Sequence, residues 1–76
     1  MKEVIEYLLK SIVDFPEQLK VNEVNGEQII LLEVRSDPRD MGKIIGKEGK
    51  VIKAIRVIAK AATIKQKKKT IIKIIE

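Results

Sequence analysis

Two glycines three residues apart, Gly46 and Gly49, interrupt what would otherwise be one amphipathic helical stretch. The helical period resumes at once beyond them: Val51, Ile52, Ile55, Ile58, Ala59 and Ala62 recur on one side, with Lys50, Lys53, Arg56 and Lys60 on the other. A glycine carries no Cβ and adopts torsions that cost other residues free energy, so the break predicts a tight turn between two helices rather than a kink in one. The chain must fold around that turn. Upstream, Asp37 is suited to cap backbone amides and Pro38 to occupy a first helical position, which opens the first of the two helices and carries it to about Ile45.

The remaining elements follow from similar punctuation. Val4, Ile5, Leu8, Leu9, Ile12 and Val13 form a stripe of period 3.6, backed by Lys2, Glu3, Glu6 and Lys10. Pro16 cannot donate into a helix and pushes Phe15 out of the α region, so this helix is expected to end near Asp14. Leu19 to Val24 reads as a strand and Gln28 to Arg35 as its return, with Asn25-Gly26 as the two turn residues, both at positive φ. Thr70 to Ile75, rich in β-branched side chains, predicts a last strand. The order is α-β-β-α-α-β, an α+β chain. Its hairpin pair is antiparallel, whereas the second and last strands join through a helical crossover and are expected to be parallel. The result is a three-stranded mixed sheet with three helices packed on one face. Ile29, Leu31, Ile71 and Ile75 alternate against Ile30, Leu32, Ile72 and Ile74, so the other face carries an apolar patch that predicts self-association or a heterodimer.

Size and composition remove whole classes of function. Seventy-six residues suffice for one domain, residues 1–76, and not for a two-domain enzyme. With no cysteine and no histidine, disulfides, thiolate metal sites and the usual acid–base catalyst are missing; no enzyme and no cofactor are expected. Asp37 and Asp40 have the spacing of a helix cap and first turn rather than of a catalytic pair. A phosphate-binding P-loop needs four residues between its glycines followed by Gly-Lys-Ser/Thr, and Gly42 to Gly46 has three. No apolar run exceeds the four residues Ile29 to Leu32, so neither a membrane span nor a signal peptide is expected, and a cytoplasmic protein is. The net charge of +5 divides unevenly. Residues 1–38 hold 4 basic and 8 acidic side chains, a net of −4, whereas residues 39–76 hold 12 basic and 3 acidic, a net of +9. The second half should therefore face a phosphate-bearing partner, nucleic acid or anionic lipid.

The glycine turn narrows that choice. Glycines allow a sugar-phosphate backbone close to the main chain, and the turn feeds a helix N-terminus whose amides and dipole favour an anion. Lys43, Lys47, Lys50 and Lys53 add mobile charge, with Arg39 and Arg56 as further contributors, while Ile44, Ile45 and Ile52 would line an apolar wall for unstacked bases. The stretch Ile44-Ile45-Gly46-Lys47-Glu48-Gly49-Lys50-Val51-Ile52 resembles the KH-domain signature, and Asp40-Met41-Gly42-Lys43 before it strengthens the likeness. In element order and length the chain is similar to the small, single-domain bacterial KhpA family, with the type II KH fold. That resemblance implies single-stranded RNA binding of low sequence specificity through a Gly-x-x-Gly backbone clamp formed by Gly46, Lys47, Glu48 and Gly49. It also implies a role as an RNA chaperone or regulator, a homodimer or a heterodimer with a KhpB/Jag-type protein, and a link to cell-wall synthesis and cell shape. Two features depart from the family: Glu48 is acidic where a basic or neutral residue is common, and the only rings, Tyr7 and Phe15, lie in or beside the first helix, so no aromatic stacking platform is expected. The alternatives are a protein-interaction module and an anionic-membrane surface binder. The first rests on the apolar sheet face, and in the second the basic amphipathic residues 50–64 lie on lipid; the lysine run Lys65, Lys67, Lys68 and Lys69 reads as a solvated loop.

Overall fold

A computed structural model describes residues 2–75, and the expected order is present. Helix α1 (Lys2–Lys10) leads through a short 3-10 turn at Pro16–Gln18 into the hairpin of β1 (Lys20–Asn25) and β2 (Ile29–Arg35). A 3-10 turn at Pro38–Asp40 opens α2 (Met41–Ile45), the glycine turn follows, and α3 (Lys50–Thr63) runs back to β3 (Lys69–Ile75). The sheet order is β1-β2-β3, with β1 antiparallel and β3 parallel to the central β2, as the crossover requires. The fold is α+β, a mixed three-stranded sheet with its helices on one face.

The core lies between that face and the helices. Val21, Ile30, Leu32, Val34 and Ile72 point into it from the sheet, and Ile5, Leu9, Ile44, Ile52, Ile55 and Ala59 meet them from above. Outer strands stand about 10 Å apart in a three-stranded sheet, so a helix lying over it buries one row of side chains rather than a broad stripe. Accordingly α3 buries Ile52, Ile55, Ala59 and Thr63, and the expected inward residues Ile58 and Ala62 lie on the surface. The N-terminal stripe is likewise narrower than the sequence suggests, with Val4 exposed in α1 and Ile12 exposed beyond its end.

Two boundaries differ from expectation for local reasons. Helix α1 stops at Lys10, well before Asp14. The Ser11 hydroxyl donates to the Tyr7 carbonyl (2.8 Å), and the amides of Asp14 and Phe15 are drawn away to the carboxylate of Asp40. The hairpin reverses at Glu27-Gln28 instead of Asn25-Gly26: Asn25 is still paired with Ile30, and the Gly26 amide donates to the Ile29 carbonyl at 2.8 Å. Gly26 has no positive φ. Space is tight there, since a Cβ would stand 3.1 Å from the Ile29 carbonyl oxygen.

The open face of the sheet carries Val24, Leu31 and Ile71 in register across the three strands, with Ile29 beside them. Val24, Ile29 and Ile71 are exposed, so the apolar patch anticipated from the alternation is present. Among the described residues, no helix is long and apolar enough to cross a membrane.

Candidate nucleic-acid interface

The glycine turn is built from three positive-φ residues. Gly46 (φ 79°, ψ 169°) ends α2, its amide donating to the Gly42 carbonyl at 2.9 Å. Residues Lys47–Gly49 form one 3-10 turn in which Glu48 (φ 58°) and Gly49 (φ 74°) are both left-handed. The Gly49 amide donates back to Gly46 (3.0 Å), and the Lys50 amide to Lys47. Two of the amides expected to face an anion are thus spent closing the turn.

The two glycines serve different ends. A Cβ on Gly46 would meet the Val51 side chain and stand 2.7 Å from the Val51 amide nitrogen, so this glycine lets α3 start close against the end of α2. At Gly49 the nearest atom to such a Cβ is Lys53 Cε at 3.9 Å, which leaves the surface open to an approaching ligand. Close approach from outside is therefore a property of Gly49.

Of the expected base-side wall, Ile44 (0% exposed) and Ile52 (7%) belong to the core, and Ile45 (39%) alone offers substantial surface. Successive isoleucines at 44 and 45 cannot be told apart by hydropathy; the phase of a five-residue helix decides between them. The lysines also separate. Lys47, Lys50 and Lys53 are exposed with Glu48 among them, whereas Lys43 Nζ is paired with Asp14 Oδ2 at 2.6 Å on the surface. An exposed pair of that kind is worth less than about 1 kcal/mol, so Lys43 remains exchangeable.

Asp37 and Asp40 divide the role that their spacing suggested. Asp37 caps, its Oδ1 accepting the Arg39 amide at 2.8 Å. The same carboxylate takes the Arg39 guanidinium in a fork, Nε to Oδ1 at 2.9 Å and Nη2 to Oδ2 at 2.8 Å. The side-chain hydrogen bonds from Arg39, followed by its backbone amide, hold the Asp37 carboxyl down at about 2. Asp40 is wholly buried and caps nothing; its two oxygens accept the Asp14 and Phe15 amides at 2.9 and 3.0 Å. Phe15 then lies beneath Arg39, whose guanidinium carbon stands 3.7 Å from the ring centroid. Arg39 and Phe15 are far apart in sequence, and nothing in the local pattern of either joins them.

A second feature was not anticipated. The C-terminal half of α3 and the start of β3 form an open groove of about 650 Å³ whose lining includes Ile64, Ile71 and Ile72 together with Arg56, Lys60, Lys67, Lys68 and Lys69. Lys67 turns the chain at φ 55°, and Lys68 is tied to the hairpin by a 2.7 Å hydrogen bond to Asn25 Oδ1. The Thr63 hydroxyl donates to the Ala59 carbonyl (2.9 Å) and accepts from Thr70 (2.6 Å), fixing the end of α3 to β3. Lys67, Lys68 and Lys69 of the lysine run therefore line a groove; the Arg56, Lys60, Ile64 spacing of four was the signal for it. Among the described residues, no group of three or more carboxylates, histidines or cysteines is placed to hold a metal ion.

Comparison with known proteins gives a single picture. Residues 2–74 match the family model described as KhpA/KhpB, KH domain. The chain is similar to the RNA-binding protein KhpA of Clostridium perfringens, 55% identical over 75 residues that cover 99% of this chain and 100% of that protein. Its likeness to the protein of the same name from Clostridium acetobutylicum is 49% over 75 residues, with the same coverage, and to that of Aquifex aeolicus 36% over 76 residues, covering 100% of this chain and 96% of that one. No solved structure gives a significant match.

Proposed function

This chain belongs to the KhpA/KhpB KH-domain family, and we propose that it binds single-stranded RNA with little sequence preference. The sugar-phosphate backbone would lie over the glycine turn, against the open side of Gly49, with Lys47, Lys50 and Lys53 neutralising phosphates and Ile45 beside the bases. The observation that carries this reading is the open, left-handed Gly49 with those exposed lysines around the N-terminus of α3, a site suited to phosphate by shape and charge. The role read from this site is binding rather than chemistry. About three neutralised phosphates give a log–log salt slope near −2 for a single strand. The deciding experiment is fluorescence anisotropy of a labelled mixed-sequence RNA with the native protein and the Lys47→Asp/Glu48→Asp double variant, at two salt concentrations. Binding lost with the circular dichroism spectrum and melting retained supports the clamp; equal binding by both proteins overturns it.

The apolar row of exposed Val24 and Ile71 around half-buried Leu31 favours a second role beside the first, pairing with another copy or with a partner KH protein of the KhpB type. Pairing would raise RNA affinity through linked sites. Sedimentation showing a strict monomer at high concentration removes the homodimer, and failure to recover a partner by pull-down removes the heterodimer.

A further inference from the structure

The chain's two aromatic residues leave it without an evident surface on which a base could stack, yet Phe15 is not idle. It lies under the Arg39 guanidinium, 3.7 Å from ring centroid to guanidinium carbon. That guanidinium is held in its plane by both oxygens of Asp37 at 2.8 and 2.9 Å, and the Arg39 side chain is 69% exposed. A flat cation with one face on a ring, one edge in a carboxylate fork and its other face toward solvent is a stacking surface already paid for in rotamer entropy. Because Asp37 balances its charge, such a group offers a phosphate little; it offers a base its plane. Its place in the fold suits this use. Arg39 and Lys43, four residues apart, both reach the Asp14–Phe15 segment, so they share one side of the helical run that leads to Lys47 and the glycine turn. The helical run from Arg39 to Ile45 rises on the order of 10 Å and ends where Gly46 opens the glycine turn, which leaves Arg39 within reach of one short strand held there.

We propose that the outer face of Arg39, backed by Phe15 and locked by Asp37, is a stacking platform for a nucleobase of the RNA whose backbone is held at Gly46–Gly49. This rests on the RNA-binding reading above and adds to it a base-side contact that the core-buried Ile44 and Ile52 do not supply. Stacking accepts any base, so the platform strengthens binding without giving sequence preference.

The test separates a plane from a charge. Anisotropy is measured with a labelled ten-nucleotide mixed-sequence RNA and with a strand of the same length lacking bases, for the native protein and for Arg39→Ala, Arg39→Lys and Arg39→Tyr. Stacking predicts that Ala and Lys each weaken the base-bearing RNA about tenfold, that Tyr retains it, and that none changes affinity for the abasic strand or the salt slope. Retention by Lys with loss by Tyr makes Arg39 a phosphate contact and overturns the platform, as does native-like binding by all three variants. Equal weakening on both strands by Arg39→Ala assigns the residue a structural role and overturns it too. If the native protein binds neither strand, the RNA reading fails and the platform with it; if it binds and only the Arg39 pattern fails, the platform alone is lost.

Discussion

The two ends of α3 are built on opposite terms. Its N-terminal end abuts a turn in which Gly46, Glu48 and Gly49 all have positive φ and Val51 leaves no room for a side chain at position 46. Its C-terminal end opens into a groove lined by long cations, most of them exposed, alongside Ile64, Ile71 and Ile72. At the first end shape is fixed by torsions, and single atoms matter. At the second, charge is spread over several side chains, and for a polyanion their number matters more than the position of any one. A backbone clamp needs the first property and a generic polyanion surface the second; one helix supplies both, about 20 Å apart along its axis.

Substitutions sharpen that contrast. Gly46→Ala is expected to cost roughly 3 kcal/mol of stability, combining torsional strain with overpacking, and urea unfolding measures it. Adding Val51→Ala should restore only part of the loss, since the backbone nitrogen 2.7 Å away stays in place. Full rescue would show that the Val51 side chain alone, and not the backbone, denies position 46 a side chain. At the other end, removing Arg56, Lys60 and Lys67 together as glutamines should leave stability within about 0.5 kcal/mol per residue. If the groove holds RNA, the native salt slope exceeds that of the clamp alone, and this triple variant flattens it by about 0.7 for each phosphate released. An unchanged slope confines RNA to the turn.

Smaller effects divide the turn itself. Gly49→Ala places a methyl group in open space at φ 74°, so its cost is torsional, about 1 kcal/mol, while RNA affinity should fall by more than that strain explains. Glu48→Gly relieves a left-handed glutamate, and a gain of about 0.5–1 kcal/mol in chemical denaturation is expected, with tighter RNA binding because a negative charge leaves the site. The smallest effect is one of pH. The Asp37 carboxyl is depressed from 3.8 to about 2, so whatever stability its fork with Arg39 contributes is present above pH 4 and lost as pH falls through 2. A carboxyl-carbon NMR titration should find that low midpoint, and Arg39→Ala should return it toward 3.8.

Much of this architecture was legible because its signals are local. Pro16, Asp37-Pro38 and the glycine pair punctuate the chain, and the periods between them name the elements. What escaped was nonlocal or a matter of phase. Asn25-Gly26 has the composition of a hairpin turn, but the register pairing Asn25 with Ile30 moves the reversal two residues on. Ile44 and Ile45 look alike until the helix between Met41 and Ile45 has a side to bury. Gly46 and Gly49 read as one motif, and only the position of Val51 shows that one is packed against and the other left open. Asp40, judged a first-turn residue by its spacing, finds partners 25 and 26 positions away.

Asp40 also bears on how the molecule comes apart. Its buried carboxylate joins the exit of the first helix to the start of the second, across the division between the acidic and basic halves of the chain. Were α1 to peel away with the Asp14–Phe15 segment that follows it, that carboxylate would lose both donors; were the Pro38–Asp40 turn to loosen with α2, the Asp14 and Phe15 amides would lose their acceptor. Neither half has a cheap partial opening. Subglobal excursions that release one end of this link should therefore release the other, and slow amide exchange in α1 and α2 should report one shared opening event, with the Arg39–Phe15 stack breaking in the same step.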